Sequence, residues 1–313
     1  MTLNGFQAYS MVMKRYRADN RLDITDYRIQ TDNPFLTEPV TIALISDLHD
    51  RPYARVMASL ASRKPDLIAI AGDLVDGYAA EGMEDVARGL LTRMPQSVLA
   101  PSFHILSFLK DCAAVAPTYF SLGNHEWLLS DSDYDRIRQT GVHLLDNASV
   151  AFSHRFLIGG LTSSSVMRYR KYILENPEMK GYYPMRPPVP FWKKRRSRHP
   201  LLDYNWLSRF EGKKGFKLLL SHHPEYWKHR DPVLQEMNLD IVMSGHAHGG
   251  QIRLLRHGLY APGQGLLPKY TCDVHRGSFG SLIVSRGLAN TVWIPRFGNC
   301  PELVYIKIET RRA

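Results

Sequence analysis

Cysteine is scarce in this chain of 313 residues: Cys112, Cys272 and Cys300 are widely spaced and odd in number. That excludes a disulfide framework and a thiolate zinc site, so any bound metal would need histidine nitrogens and oxygen ligands. Long apolar runs are missing as well. No window carries about eighteen or more uninterrupted apolar residues, and the sequence predicts no transmembrane helix. The opening stretch, MTLNGFQAYSMVMKRYRADN, lacks both a long apolar segment and a small-residue cleavage site. A secretory signal is therefore not expected, and a cytoplasmic location follows as the default. There is no fixed-period repeat and no low-complexity tract. What the chain does have is apolar content of 44%, enough to bury a large core. The expected organisation is an N-terminal extension over residues 1–40 followed by a single elaborated domain over 41–310.

Acidic residues are the minority. The chain has 40 Lys and Arg against 30 Asp and Glu, a formal charge of +10, and one segment carries nearly all of the excess. Between Arg168 and Arg198 there are ten basic residues and two acidic ones, together with six aromatics and five prolines, as in YYPMRPPVPFWKKRRSR. This composition suits an irregular surface insertion, over about residues 165–205, better than core elements. It admits three readings: a solvated loop, a lid that covers substrate or faces an anionic membrane, and a nucleic-acid surface, the least favoured. Arg168, Arg170, Trp192 and Lys193 are its candidate substrate contacts. The early segment FQAYSMVMKRYR reads equally as a basic amphipathic helix on a membrane surface or as a helix packed on the domain.

Short apolar runs recur, and five of them end in residues able to do chemistry. TIALIS leads into Asp47 and His49, DLIAIA into Asp73, TYFSL into Asn124 and His125, FKLLL into His222 and His223, and LDIVM into His246 and His248. Each run reads as a buried strand. ARVMASLASRKP, between the first two, has helical character, and the strand, helix, strand order implies parallel pairing. GQIRLL, SLIVSRG and ELVYIKIE add strands with fewer helices between them, so a mixed sheet or a second sheet is expected. In such α/β folds the carboxyl ends of the strands share a ligand-binding rim.

Taken singly, each piece has an ordinary explanation: a packed histidine, or a turn at Gly-Asp or Gly-Asn-His. Taken together, Asp, Asn and His without thiolates suit Mn, Fe, Co or Zn. Seven donors exceed the four that close a structural zinc site. Two adjacent ions sharing a carboxylate accommodate them, and a two-metal clamp is suited to hydrolysing a phosphoester.

The ordered motifs D-x-H (Asp47, His49), G-D (Gly72, Asp73), G-N-H-E (Gly123 to Glu126), H-x-P (His222, Pro224) and G-H-x-H (Gly245 to His248) resemble the calcineurin-like metallophosphoesterase superfamily. The tail GGQIRLLRHGLYAPGQGLLPKY, with SRGL and PRFGNCPEL, looks like a bacterial branch of membrane-associated phosphoesterases that includes UDP-diacylglucosamine pyrophosphate hydrolases. The resemblance implies an α/β fold, a four-layer α-β-β-α sandwich of two mixed sheets flanked by helices. It also implies two divalent metal ions, one held by Asp47, His49, Asp73 and His248, the other by Asp73, Asn124, His222 and His246, with Asp73 bridging. Asn124 would help to hold the phosphoryl oxygens, and His125 would assist the leaving oxygen; His223 has no assigned role. The implied activity is hydrolysis of a phosphodiester or pyrophosphate bond by metal-activated hydroxide, on a lipid-linked or nucleotide-lipid substrate, with peripheral contact to an anionic membrane. A phosphomonoesterase, a nuclease, and a binding or scaffold protein that keeps the fold without turnover are the alternatives.

Overall fold

The computed structural model describes residues 21–75, 104–179, 200–228, 233–254, 257–261, 264–289 and 296–311. The basic opening segment, Trp192 and Lys193 lie outside the described residues. The first sheet contains β1 (Asp23–Thr31), β2 (Val40–Ile45), β3 (Leu67–Ala71), β4 (Thr118–Ser121) and β5 (His143–Leu145), with the final strand β16 (Glu302–Thr310) inserted to give the order β1-β16-β2-β3-β4-β5. Strands β2 to β5 run parallel, while β16 is antiparallel to β2 and parallel to β1. Residues 23–31, read from sequence as part of an extension, thus form an edge strand of this sheet. Arg286 holds the strand beginnings together, donating at 3.0 Å to both Asp23 and Glu302.

The second sheet contains β6 (Ala148–Ser153), β7 (Phe156–Leu161), β8 (Phe216–Ser221) and β9 (Ile241–Ser244), then β14 (Asp273–Arg276) and β15 (Ser281–Val284), in the order β14-β15-β9-β8-β7-β6. Its four central strands are parallel and its two edges antiparallel, so both sheets are mixed. Between β9 and β14 the chain makes two small hairpins from β10 (Arg253–Leu254), β11 (His257–Gly258), β12 (Tyr260–Ala261) and β13 (Gly265–Leu266).

The strand sequences are apolar on both faces because each sheet is covered on both sides. In β2, Ile42 and Leu44 face the core between the sheets, whereas Ala43 and Ile45 face the helices. In β8, Phe216, Leu218 and Leu220 fill that inter-sheet core and Leu219 turns outward. The outer layer over the first sheet includes α1 (Ala54–Arg63), which buries Val56 and Leu60, and α2 (Ile105–Val115), which buries Phe108, Leu109 and Cys112. Helix α3 (Asp131–Arg138) starts at a capping box in which Ser130 and Asp133 satisfy one another's backbone N–H groups. Beyond the second sheet, α5 (Tyr204–Glu211) buries Trp206, Leu207 and Phe210. The result is a four-layer α/β sandwich of two mixed sheets flanked by helices.

One expectation changes. The start of the basic insertion is helical, forming α4 (Ser164–Glu175) where composition suggested irregular chain. Ser163 caps it by accepting the Ser165 N–H at 3.2 Å, and no proline interrupts it before Pro177. Among the described residues no helix is long and apolar enough to cross a membrane.

Candidate metal centre

Five loops converge where the parallel strands of both sheets end. Asp47 and His49 follow β2, Asp73 follows β3, Asn124 and His125 follow β4, His222 and His223 follow β8, and His246 and His248 follow β9. Three of these loops, after β2, β3 and β9, leave their strands by abrupt turns. Asp47, His49, Asp73, His246 and His248 have φ between 45° and 64°, the left-handed region that residues with a Cβ avoid. Each such conformation costs on the order of 1–3 kcal/mol, and its recurrence at five polar positions in one place marks a site rather than a packing accident. Glycine makes the closeness possible: a Cβ on Gly245 would lie 2.4 Å from Asp47 Oδ2, and one on Gly123 would lie 2.3 Å from Asp73 Oδ1.

The side chains sort into small groups of potential ligands. Asp47, His49 and His248 form one, Asp73, His222 and His246 another, and the donor atoms within each lie within 4.8 Å of one another. Asn124 joins the second, its Oδ1 3.1 Å from His222 Nε2. Asp73 spans the two groups, with Oδ2 3.0 Å from His222 Nε2 and 4.0 Å from His49 Nε2. Three imidazoles are oriented from behind: Nδ1 of His49, His222 and His248 lies 3.2, 2.6 and 3.1 Å from the carbonyls of Val75, Ala71 and Ala289. A carbonyl can only accept, so each Nδ1 carries a proton, which leaves each Nε2 to face the centre. Histidine ligands of metals are held in this way. His49 Nε2 is fully buried and has no hydrogen-bond partner among the described residues. A divalent cation would satisfy it, and the donor set of imidazoles, carboxylates and one amide fits such ions.

The electrostatics agree. Burial alone would raise the Asp73 carboxyl, yet His222, His125 and His49 outweigh it and hold the group well below the usual carboxylate range. Burial lowers His222, but Asp73 and Asp47 overcome this and push it up to about 10. The carboxylates therefore demand positive charge among them, from protons or from cations that displace protons.

The profile of the calcineurin-like phosphoesterase family matches residues 40–250. The chain belongs to that family. It is a metal-dependent phosphoester hydrolase with divalent cations as cofactors. Among curated relatives, an uncharacterized Bacillus subtilis protein, YpbG, is 25% identical over 272 residues, covering 84% of this chain and 79% of the relative. Among solved structures, a dimetal phosphatase from Danio rerio is similar at 13% identity with a TM-score of 0.44, covering 80% of this chain and 88% of that one. The Thermus thermophilus sulfate thiohydrolase SoxB is similar at 12% identity with a TM-score of 0.41, covering 86% of this chain and 56% of its own.

In this phosphoesterase every one of the seven candidate ligands reaches the centre, and His125 lies at its rim, with Nε2 3.9 Å from Asp73 Oδ2 and a side chain 13% exposed. The candidates in the basic insertion are placed differently. Arg170 is committed to Asp146, donating through two nitrogens at 2.8 and 2.6 Å. Arg168 reaches back to Ser164 Oγ at 3.2 Å. Sequence reading assigned no role to Glu126, although it stands in the G-N-H-E motif. Its buried carboxylate accepts the N–H groups of Asp73, Leu74 and Gly123 at 2.9, 2.7 and 2.7 Å, tying together two loops that carry candidate ligands. Burial and the neighbouring Asp73 push Glu126 up to about 7. Glu225 was also missed. Burial would raise it, but His246 and His223 outweigh this and hold it down to about 2.

Gly245→Ala tests the close packing around Asp47. The added Cβ displaces the carboxylate, so the purified variant is expected to keep its circular dichroism spectrum and lose bound divalent metal, measured by plasma mass spectrometry.

Proposed function

We propose that the chain hydrolyses a phosphodiester or pyrophosphate bond at a dinuclear centre. The observation that carries this is Asp73, a buried carboxylate standing between two sets of metal-binding donors. Asp47, His49, Asp73 and His248 would hold one ion, and Asp73, Asn124, His222 and His246 the other. When bound, two such ions polarise a phosphoryl oxygen and make water a competent nucleophile at neutral pH. The remaining work belongs to the chain. Asn124 turns its carboxamide oxygen to His222, which leaves its amide nitrogen to donate to a phosphoryl oxygen. His125 is fixed by its backbone N–H, which donates to Asp73 Oδ1 at 2.8 Å, and its partly exposed ring can deliver a proton to the departing oxygen.

A lipid-linked substrate is favoured by the surface that continues from His248. The hairpins β10–β11 and β12–β13 follow this ligand directly, and Gly250 packs against Gly258. They and the adjoining Phe297 leave Leu254, Tyr260, Leu266, Leu267 and Phe297 exposed, with Leu266 at 81%. Gln251 and Arg253 hydrogen-bond to Phe297 through the backbone, and Leu267 to Leu259, so these residues belong to one small ribbon. Exposed apolar side chains on hairpins that follow directly from His248 suit an acyl chain or a bilayer surface. Arg253, His257 and Lys269 lie in the same segment and suit an anionic one.

Three outcomes are expected. Chelation abolishes hydrolysis of bis-p-nitrophenyl phosphate, added Mn or Zn restores it, and Asp73→Asn stays inactive under both conditions; a faster rate on p-nitrophenyl phosphate would instead assign monoester chemistry. His125→Ala slows esters with alkyl leaving groups by about 10²- to 10⁴-fold and the p-nitrophenyl ester much less, because p-nitrophenolate departs without a proton. Replacing Leu266 and Leu267 together with Asp lowers cosedimentation with anionic phospholipid vesicles by about tenfold or more and spares the rate on bis-p-nitrophenyl phosphate. Displacement of vesicles by single-stranded DNA at equal charge would point to nucleic acid instead.

A further inference from the structure

A further group of donors stands beside the pair and shares only His246 with the scheme above. His223, Glu225 and His246 are buried, and one donor atom from each lies within 4.8 Å of the others. Glu225 Oε1 is 3.4 Å from His223 Nδ1 and 3.9 Å from His246 Nε2. Donors bound to one tetrahedral ion at about 2.0–2.2 Å lie roughly 3.3–3.6 Å apart, so a small inward shift closes the triangle.

A hydrogen bond behind His223 holds its ring in place. Its Nε2 lies 2.8 Å from Ser163 Oγ, which also receives the Ser165 N–H at the start of α4. The Ser163 hydroxyl can accept the Nε2 proton, and in that tautomer the Nδ1 lone pair faces the Glu225 carboxylate and is open to a cation. A cation between this ring nitrogen and the buried carboxylate would satisfy both. His223 Nδ1 and Glu225 Oε2 have no hydrogen-bond partner among the described residues. His223 and Glu225 are only 8% and 4% exposed.

His246 belongs to both this group and the group of Asp73 and His222. Its ring lies between theirs, with centroids 5.0 Å from His222 and 4.4 Å from His223. A neutral imidazole has one lone pair, so His246 can serve one ion at a time. We propose that His223, Glu225 and His246 form an inhibitory zinc site, which draws His246 away from the catalytic pair when free zinc rises. The inference rests on the reading that His246 is a ligand of that pair. Two imidazoles and a carboxylate are a zinc donor set, whereas manganese prefers oxygen-rich, six-coordinate surroundings, so the inhibition is selective for zinc.

Equilibrium dialysis of the full chain against buffered zinc tests the proposal. Two ions are expected at low free zinc and a third at higher free zinc, and hydrolysis of bis-p-nitrophenyl phosphate falls about tenfold as the third binds. In His223→Gln and in Glu225→Gln, each checked for folding by circular dichroism, the third equivalent and the inhibition disappear together. A wild-type chain that stops at two ions, a third ion that persists in both variants, or a third ion that leaves the rate unchanged would overturn the site. Fewer than two ions at low free zinc would overturn the dinuclear reading itself, and the inhibitory site with it.

Discussion

Buried carboxylates and imidazole lone pairs cannot share a small volume unless positive charge sits among them. Asp47, Asp73, Glu126 and Glu225 are each at most 4% exposed, and all four meet near one rim of the sandwich. Burying such ions without partners costs several kcal/mol apiece. Glu126 is answered within the protein by three backbone N–H groups, whereas Glu225 faces His223 and His246 at 3.4 and 3.9 Å. Asp47 and Asp73 each accept one backbone N–H, from His246 and His125, and also face imidazoles whose Nδ1 protons are committed to carbonyls behind them. That leaves lone pairs facing carboxylates, an arrangement that a cation completes.

The scaffold tolerates this because the strain is local and the support is broad. Left-handed backbone at Asp47, His49, Asp73, His246 and His248 begins within a few residues of strands whose side chains are almost wholly buried. The parallel strands of both sheets hold the loop ends in place, so the turns have no freedom to relax. Glycines at 72, 123, 245 and 287 then let backbone approach Asp47, Asp73 and His222 to distances that any Cβ would obstruct. Rigid strands, strained turns and absent side chains act together to fix donors from five separate loops.

The surroundings of the centre divide by chemistry. On the side of β9 the chain runs on into the apolar ribbon of Leu254, Tyr260, Leu266 and Leu267. On the side of β7 it passes through Ser163 into α4, where His223 is anchored. His246 lies where the catalytic donors and the His223 group meet, so its single lone pair links metal supply to turnover.

The sequence by itself determined the fold class and marked the residues that gather at the rim. Strand-length apolar runs ending in Asp, Asn or His mark both the layers and the rim, since a strand covered on both faces must be apolar throughout and its first polar residues fall at its end. Local pattern could not assign Asp23–Thr31 to the first sheet, because its pairing with β16 joins residues 279 positions apart. Nor could it show that the insertion begins as a capped helix, or that Arg170 is occupied by Asp146. Only the tertiary structure decided that Glu126 ties two loops, that the carbonyls of Ala71, Val75 and Ala289 set the tautomers, and that His246 stands between two groups of donors. Those roles depend on contacts between distant segments, and residue type alone carries no information about which acceptor a folded chain brings within 3 Å of a given ring.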